Sequence, residues 1–350
     1  VVTAAIQEQV FSGCSVAISR GADSFLFNRG TLGYQDHRAV GEETLFDLAS
    51  LTKPLATTLA VLALITAGKL GLDDTLPQAL ACPVPADKEK ITLFQLLNHC
   101  AGLAAHRPFY LQLAEITGQQ RPSELLRLVL HEPLAYPVGS QALYSDLGFI
   151  LLGLVVEASS GLSLDEAVAR HVYEPLGLAG RLLFRPHLLG RDDVAATEHC
   201  PWRGRLLQGE VDDQNTWVIG GVSGQAGLFG SGRDVLDLVN KLTKIAAGGL
   251  KHPFLARDLL ARAMRRQGLI KASNWGLGFD TPAETGSSAG HFISRRSCGH
   301  LGFTGTSFWH DFDHQISVVL LTNRVHPTVE NNQIKAFRPL FHNLVFETLD

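Results

Sequence analysis

Charged side chains are scarce: Asp, Glu, Lys and Arg together make up 18% of the 350 residues, while apolar residues reach 45%. Soluble domains usually carry ~25% charged residues, so this chain has the means to bury a large core and is not an intrinsically disordered protein. Basic blocks are missing and the formal net charge is −4; the clustered positive surface that a nucleic acid requires is therefore absent. No apolar run has bilayer length. The stretch from Pro54 to Gly68 lies between Lys53 and Lys69 and is interrupted by Pro54 and three threonines, short of the ~20 residues of a membrane span.

Cysteine is sparse too. Cys14, Cys82, Cys100, Cys200 and Cys298 are odd in number, widely spaced and form no C-x-x-C, which excludes a disulfide framework and a zinc site. They read as buried free thiols of a reducing compartment, and none has neighbours that would activate it as a nucleophile. Nothing near Val1 resembles a signal peptide, since Glu8 arrives before any apolar core region. The expected location is the cytoplasm, with a periplasmic or secreted one open if a leader has been removed.

What is present organises into an order of strands, helices, then strands with helices. Cys14–Ser19 and Ser24–Asn28 flank Arg20-Gly21-Ala22-Asp23 and read as an antiparallel hairpin. From Ser50 the apolar spacing becomes helical, with Pro54 tolerated in the first turn and Gly68 and Gly71 as stops. Helical periodicity dominates to about Glu210, including 92–97, 146–158 and 164–172. From Val211 glycine-punctuated β texture is expected, at 218–221 and 227–230, followed by a helix opened by Ser231 with Asp234 in the capping-box position. Strands are expected over Gly302–Trp309 and Gln315–Thr322, and a closing helix over 330–347. This pattern predicts an α/β fold of the α+β type, an antiparallel sheet flanked by helices. Residues 1–75 and 211–350 would form a discontinuous α/β domain, with a mainly helical domain, 76–210, inserted between its halves.

The chemistry concentrates at Ser50-Leu51-Thr52-Lys53. Residues three apart share a helix face, so the Lys53 amine can reach the Ser50 hydroxyl. A helix N-terminus supplies free N–H groups and positive dipole, and burial is expected to lower the lysine pKa enough for it to accept the serine proton. Two further segments follow in order: Tyr144-Ser145-Asp146 at the start of an apolar helix, and His300-Leu301-Gly302 before Phe303-Thr304-Gly305-Thr306.

Together these segments resemble the S-x-x-K, Y-x-N and K-T-G motifs of the penicillin-recognising serine hydrolases. Ile91-Thr92, Leu96-Leu97-Asn98-His99-Cys100-Ala101-Gly102-Leu103, Glu174-Pro175-Leu176-Gly177-Leu178 and Gly220-Gly221-Val222-Ser223-Gly224 are similar to the branch that holds class C β-lactamases, D-alanyl-D-alanine carboxypeptidases and related carboxylesterases. The resemblance extends over about residues 10 to 345 and implies a β-lactamase/transpeptidase-like fold. It makes Ser50 the acylated nucleophile, with Lys53 and Tyr144 as proton-transfer partners, either of which could be the base. It makes the backbone N–H groups of Ser50 and Phe303 the oxyanion hole, and Asp146, His300 and Gly302 substrate-binding residues. Gly302 is expected to leave room for substrate backbone. No metal or organic cofactor is implied.

Two positions depart from the motifs: His300 replaces the lysine of K-T-G, and Asp146 replaces the asparagine of Y-x-N. Histidine is mostly neutral at pH 7 unless a partner such as Asp146 raises its pKa, and an unpaired Asp146 would repel an anion or hold Lys53 as ammonium. Both changes weaken carboxylate recognition and leave acyl transfer intact. The preferred reading is a β-lactamase-related carboxylesterase with a small-molecule ester, amide or β-lactam as partner. The alternatives are a β-lactamase or D-amino-acid peptidase, and a non-catalytic scaffold of the same fold. Gly286-Ser287-Ser288-Ala289-Gly290 matches a nucleophile elbow in letters but lacks the strand before it and the helix after it. His310-Asp311-Phe312-Asp313-His314 reads as a solvated turn rather than a metal site.

Overall fold

The computed structural model describes residues 1–271 and 273–349. Its main sheet holds β1 (Gly13–Arg20), β2 (Asp23–Gly30), β3 (Ser297–Leu301), β4 (Ser307–Asp311) and β5 (Ile316–Thr322), in the spatial order β2-β1-β5-β4-β3 and antiparallel throughout. The β1–β2 hairpin turns on Gly21-Ala22, where Gly21 takes a φ of +59°. The β-branched and apolar run Ile316-Ser-Val-Val-Leu-Leu-Thr is buried at every position, which fits its central place. Its side chains alternate between two cores, Val319 and Leu321 facing one, Ile316, Val318 and Leu320 the other.

Two helical layers cover these faces. On the first side lie α1 (Ala49–Thr66), α2 (Leu93–Leu97), α3 (Asp146–Ser160) and α4 (Gly232–Ala247), whose apolar residues share one continuous core with that face of the sheet. On the other side α5 (Ile334–Leu349) sets Phe337, Phe341 and Phe346 against Trp309 and Phe11. α1 has the length and apolarity of a membrane span by composition, but 83% of it is buried inside the fold, as expected of a core helix. Local chemistry accounts for the helix ends. Thr92 and Gln95 form a capping box ahead of α2, Ser145 Oγ accepts from Gly148 N–H at α3, and Ser231 Oγ accepts from Asp234 N–H at α4. Gly161 and Gly248 end α3 and α4 in the left-handed conformation.

Three expectations need correction. Gly302–Thr306 is not strand: β3 ends at Leu301, β4 begins at Ser307, and the residues between form the turn that joins them. The apolar letters of Phe303 and Phe308 concealed a reversal, and Gly305, at φ +109°, makes it. The glycine-rich segment 218–221 is not strand at any position: a helix ends at Val218 and a turn follows. Gln214–Val218 is a short helix, capped by Asp213 Oδ1 accepting from Thr216 N–H. Finally, α1 is not a uniform α-helix. A 3-10 turn at Ala49–Leu51 is followed by a π-helical stretch, Lys53–Thr58, that accommodates Pro54 before regular geometry resumes at Leu59.

Candidate active site

The start of α1 is clamped from several directions. Ala49 holds a positive φ of +47°, rare for a residue with a side chain. Its N–H donates to Asp47 Oδ1 at 2.8 Å, and its carbonyl accepts from Thr52 Oγ1 at 2.6 Å. The β3–β4 turn reaches over with two hydroxyls: Thr304 Oγ1 donates to Asp47 O at 2.7 Å and Thr306 Oγ1 to Leu48 O at 3.1 Å. Ser50 thus sits on a fixed, strained backbone corner facing that turn.

Lys53 is fully buried one turn on and donates to three acceptors: Ser50 Oγ at 3.0 Å, Asp146 Oδ1 at 2.7 Å and Gln225 O at 3.1 Å. The Tyr144 hydroxyl faces both Lys53 and Ser50, with the Lys53 ammonium 4.8 Å from the ring centre. The 144–146 segment and Gln225 therefore converge on the Lys53 ammonium, which with Tyr144 reaches the serine oxygen.

The charge state of this group follows the expectation that Asp146 holds Lys53 as ammonium, not the one that burial lowers the lysine pKa. Burial alone would pull the Lys53 pKa down, but Asp146 and Tyr144 outweigh it and the net direction is up. Lys53 is an ammonium ion at neutral pH. Burial likewise opposes ionisation of Asp146, yet Lys53 and His106 hold its carboxyl well below the usual range. Burial raises the Tyr144 phenol against the pull of Lys53, so at rest Tyr144 keeps its proton.

Asp146 does not pair with His300. Its second oxygen faces His106 Nδ1 at 3.4 Å. His300 instead points Nδ1 at its neighbour's carbonyl, Leu301 O, at 2.8 Å, and burial, then Lys53, depress its pKa to about 3. The residue in place of the K-T-G lysine is a neutral imidazole. Tyr144, His300, His99 and Trp275 pack as an aromatic cluster, with ring centres 4.5 to 5.9 Å apart where they touch. His99 Nδ1 accepts from Ser145 N–H at 3.1 Å and so fixes the segment that carries Tyr144. Sequence reasoning left His106, Gln225 and Trp275 out of the site, and spacing held no signal for them, since they arrive from separate loops.

A cavity of roughly 630 Å³ opens onto Ser50 and is also lined by Tyr144, Asp146, Trp275, His300 and Phe303. Gly302 lines it too, but the turn is what demands glycine there. A Cβ would meet Thr306 Oγ1 at 2.0 Å and Leu48 O at 2.7 Å. Arg338 donates through Nη2 to Gly302 O and Thr306 O, both at 2.8 Å, and Arg324 Nε to Phe303 O at 2.7 Å, so both arginines brace the turn while also lining the cavity. The G-x-S-x-G segment lies elsewhere, around a cavity that Ser50 does not line, with Gly290 packed on Asn343. His310 and Asp311 are the buried end of β4 rather than part of a solvated turn; Asp311 accepts from Ser294 and His314, and no metal-binding cluster occurs among the described residues.

Comparison with known proteins places this geometry. The Beta-lactamase family profile matches residues 1–340. The chain belongs to the beta-lactamase family. It is a serine hydrolase of that family, with the expected β-lactamase/penicillin-binding-protein fold. A protein of Salmonella agona (strain SL483) named "Putative D-alanyl-D-alanine carboxypeptidase" is 32% identical over 315 residues, 83% of this chain and 72% of the relative. Among solved structures, "EstCE1, a hydrolase with promiscuous acyltransferase activity" has a TM-score of 0.74 at 25% identity, covering 95% of each chain. A penicillin-binding protein from Bacillus halodurans shares the fold at a TM-score of 0.72 and 21% identity, covering 96% of this chain and 98% of its own.

Proposed function

We propose that this family member is a carboxylesterase-type hydrolase of uncharged acyl compounds, working through an acyl-enzyme on Ser50. Ser50 Oγ attacks the carbonyl carbon while its proton passes to the Lys53–Tyr144 pair. That pair holds one proton too many at rest, because Asp146 keeps Lys53 charged and burial keeps Tyr144 neutral. It must lose a proton before it can accept one, so the rate should climb with pH. The tetrahedral oxyanion is received by the N–H groups of Ser50 and Phe303, each donor contributing about 10²–10³ in rate. The leaving group takes the proton back, and water then repeats the attack on the acyl-enzyme in reverse order.

The observation that carries the substrate class is the neutral His300 at the end of β3, where a fixed cation would serve a carboxylate. A second reading, a D-amino-acid peptidase, is favoured by the name of the 32% identical relatives and by Lys335, an exposed cation on the cavity wall. Hydrolysis of p-nitrophenyl esters, nitrocefin and a D-alanyl-D-alanine peptide by the wild type, Ser50→Ala and Ser288→Ala separates the readings. Ester turnover lost only in Ser50→Ala, with slow nitrocefin and peptide cleavage, supports the esterase. Faster peptide cleavage replaces it with the peptidase, and a dead Ser288→Ala moves the nucleophile altogether.

A further inference from the structure

The main sheet ends at β2, an edge strand. Gly21 N–H donates to Gln315 O and Thr31 N–H to Ser12 O. Those two bonds set the alternation of the β1–β2 hairpin: the backbone groups of Asp23, Phe25, Phe27 and Arg29 face β1, and those of Ser24, Leu26 and Asn28 face outward. The outward groups meet no partner among the described residues. Only at Gly30 does the edge close, where the carbonyl accepts from Val40 N–H at 3.1 Å. Natural edge strands are commonly blunted by proline, lysine or a bulge, and Ser24-Phe25-Leu26-Phe27-Asn28 has none of these. The charges stand at its two ends, Asp23 and Arg29, both exposed on the face that carries Phe25 and Phe27. Phe25 is 58% exposed, stacks on Phe27 and opens onto a groove of roughly 460 Å³ shared with Phe341 and Leu344 of α5.

We propose that this edge docks a second copy of the chain, the two β2 strands pairing antiparallel about Leu26. In that register Ser24 exchanges backbone hydrogen bonds with the partner's Asn28, and Leu26 with the partner's Leu26, so every outward group from Ser24 to Asn28 is satisfied. Asp23 falls opposite the partner's Arg29, and by the two-fold symmetry Arg29 falls opposite the partner's Asp23. Phe25 meets the partner's Phe27, which carries the aromatic stack across the seam and covers the exposed ring. Sliding the partner two residues one way sets Asp23 against Phe27 and Arg29 against the hairpin turn. Sliding it the other way runs it into the place that Val40 holds beside Gly30. The free length of edge and its charge pattern therefore fit this strand's own sequence reversed, and two five-stranded sheets become one.

Sedimentation velocity of the full chain tests this without reliance on Ser50 chemistry. The wild type should sediment at twice the 37.9 kDa chain mass. Asp23→Arg and Arg29→Asp each oppose like charges at both symmetric contacts, and each should raise the dimer Kd by about tenfold. The two changes combined restore opposite signs and should return the Kd to within about threefold of the wild type. Leu26→Pro, acceptable on an edge whose N–H faces outward, removes the central donor of both copies and should be monomeric where the wild type is dimeric. A wild type that stays monomeric at about 100 μM overturns the proposal. So does a dimer that survives Leu26→Pro, a pair of single reversals that leave the Kd unchanged, or a combined variant no tighter than either single one. If Leu26→Pro does not fold, the charge-reversal set decides alone, since both of its side chains are exposed.

Discussion

Replacing Asp146 by asparagine should shift the pH–rate profile of ester hydrolysis toward lower pH. The carboxylate lies 2.7 Å from Lys53 Nζ and is what keeps the buried lysine charged against its desolvation. It also raises Tyr144 by adding negative charge nearby. Removing that charge lowers the proton affinity of both groups, so the direction is the same whichever of them takes the Ser50 proton. An opposite charge at this range is worth about 1–3 pKa units. The Asp146 side chain retains 21% of its surface, and the solvent screening this allows argues for the lower half of that range. The kinetic pKa read from kcat/KM against pH should fall by about 1–2 units, with the competent fraction at pH 7 rising about tenfold per unit. Stability should move the other way. Asp146 is depressed, so its contribution is present above the ordinary carboxylate pKa of ~3.9 and fades as pH falls below it; Lys53 is raised, so its contribution fades only above ~10.4. The thermal deficit of Asp146→Asn should therefore be widest between about pH 5 and 10 and should close below pH 4. A kinetic pKa that stays put or rises would refute the electrostatic account of the site.

Three other changes have calculable outcomes. Tyr144→Phe keeps the ring contacts with His99, Trp275 and His300 but loses the hydroxyl. Ester kcat should drop by about 10²–10⁴ with little change in melting temperature, and a fall under tenfold would remove Tyr144 from the proton path. Gly302→Ala forces a Cβ into Thr306 Oγ1 and the Leu48 carbonyl; an unfolding free-energy loss of about 1–3 kcal/mol is expected, and Thr306→Ala in the same chain should restore only part of it, because the Leu48 contact is backbone. Asp212 is raised by burial and by Asp47 to about 8. A raised carboxyl stabilises the fold at low pH and loses that contribution as pH climbs through its folded pKa, so the melting temperature of Asp212→Asn relative to the wild type should increase from pH 5 to pH 9.

The parts of this protein that were legible in the sequence are those decided within a few residues. Thr92 with Gln95, Ser231 with Asp234, and the Gly21 turn declare themselves because cap and turn chemistry is local. Ser50 and Lys53 are three apart, and their 3.0 Å contact follows from helical geometry. What spacing could not disclose is who pairs with whom across the fold. His106 lies 40 positions from Asp146, and Trp275 and Gln225 reach the site from loops with no periodicity of their own. For Lys53 two outcomes are open in the sequence, a pKa lowered by burial or an ammonium held by Asp146, and tertiary structure decides between them by setting Asp146 on Lys53 rather than on His300. The Gly302–Thr306 turn failed differently, since its reversal rests on the left-handed Gly305 amid letters that also suit a strand.

The order of the main sheet sets a timetable for synthesis. β1 pairs with β5, so Ser19 must wait for Ser317 to leave the ribosome, almost 300 residues later, a delay of roughly 15–60 s at ~5–20 residues per second. Throughout that interval the β1–β2 hairpin shows an unsatisfied edge, and the turn that clamps Asp47 and Leu48 has not yet been made. Nascent chains halted before residue 300 should therefore be sticky and inert, and ribosome-bound intermediates should need shielding of β1 until β5, in the last tenth of the described chain, arrives.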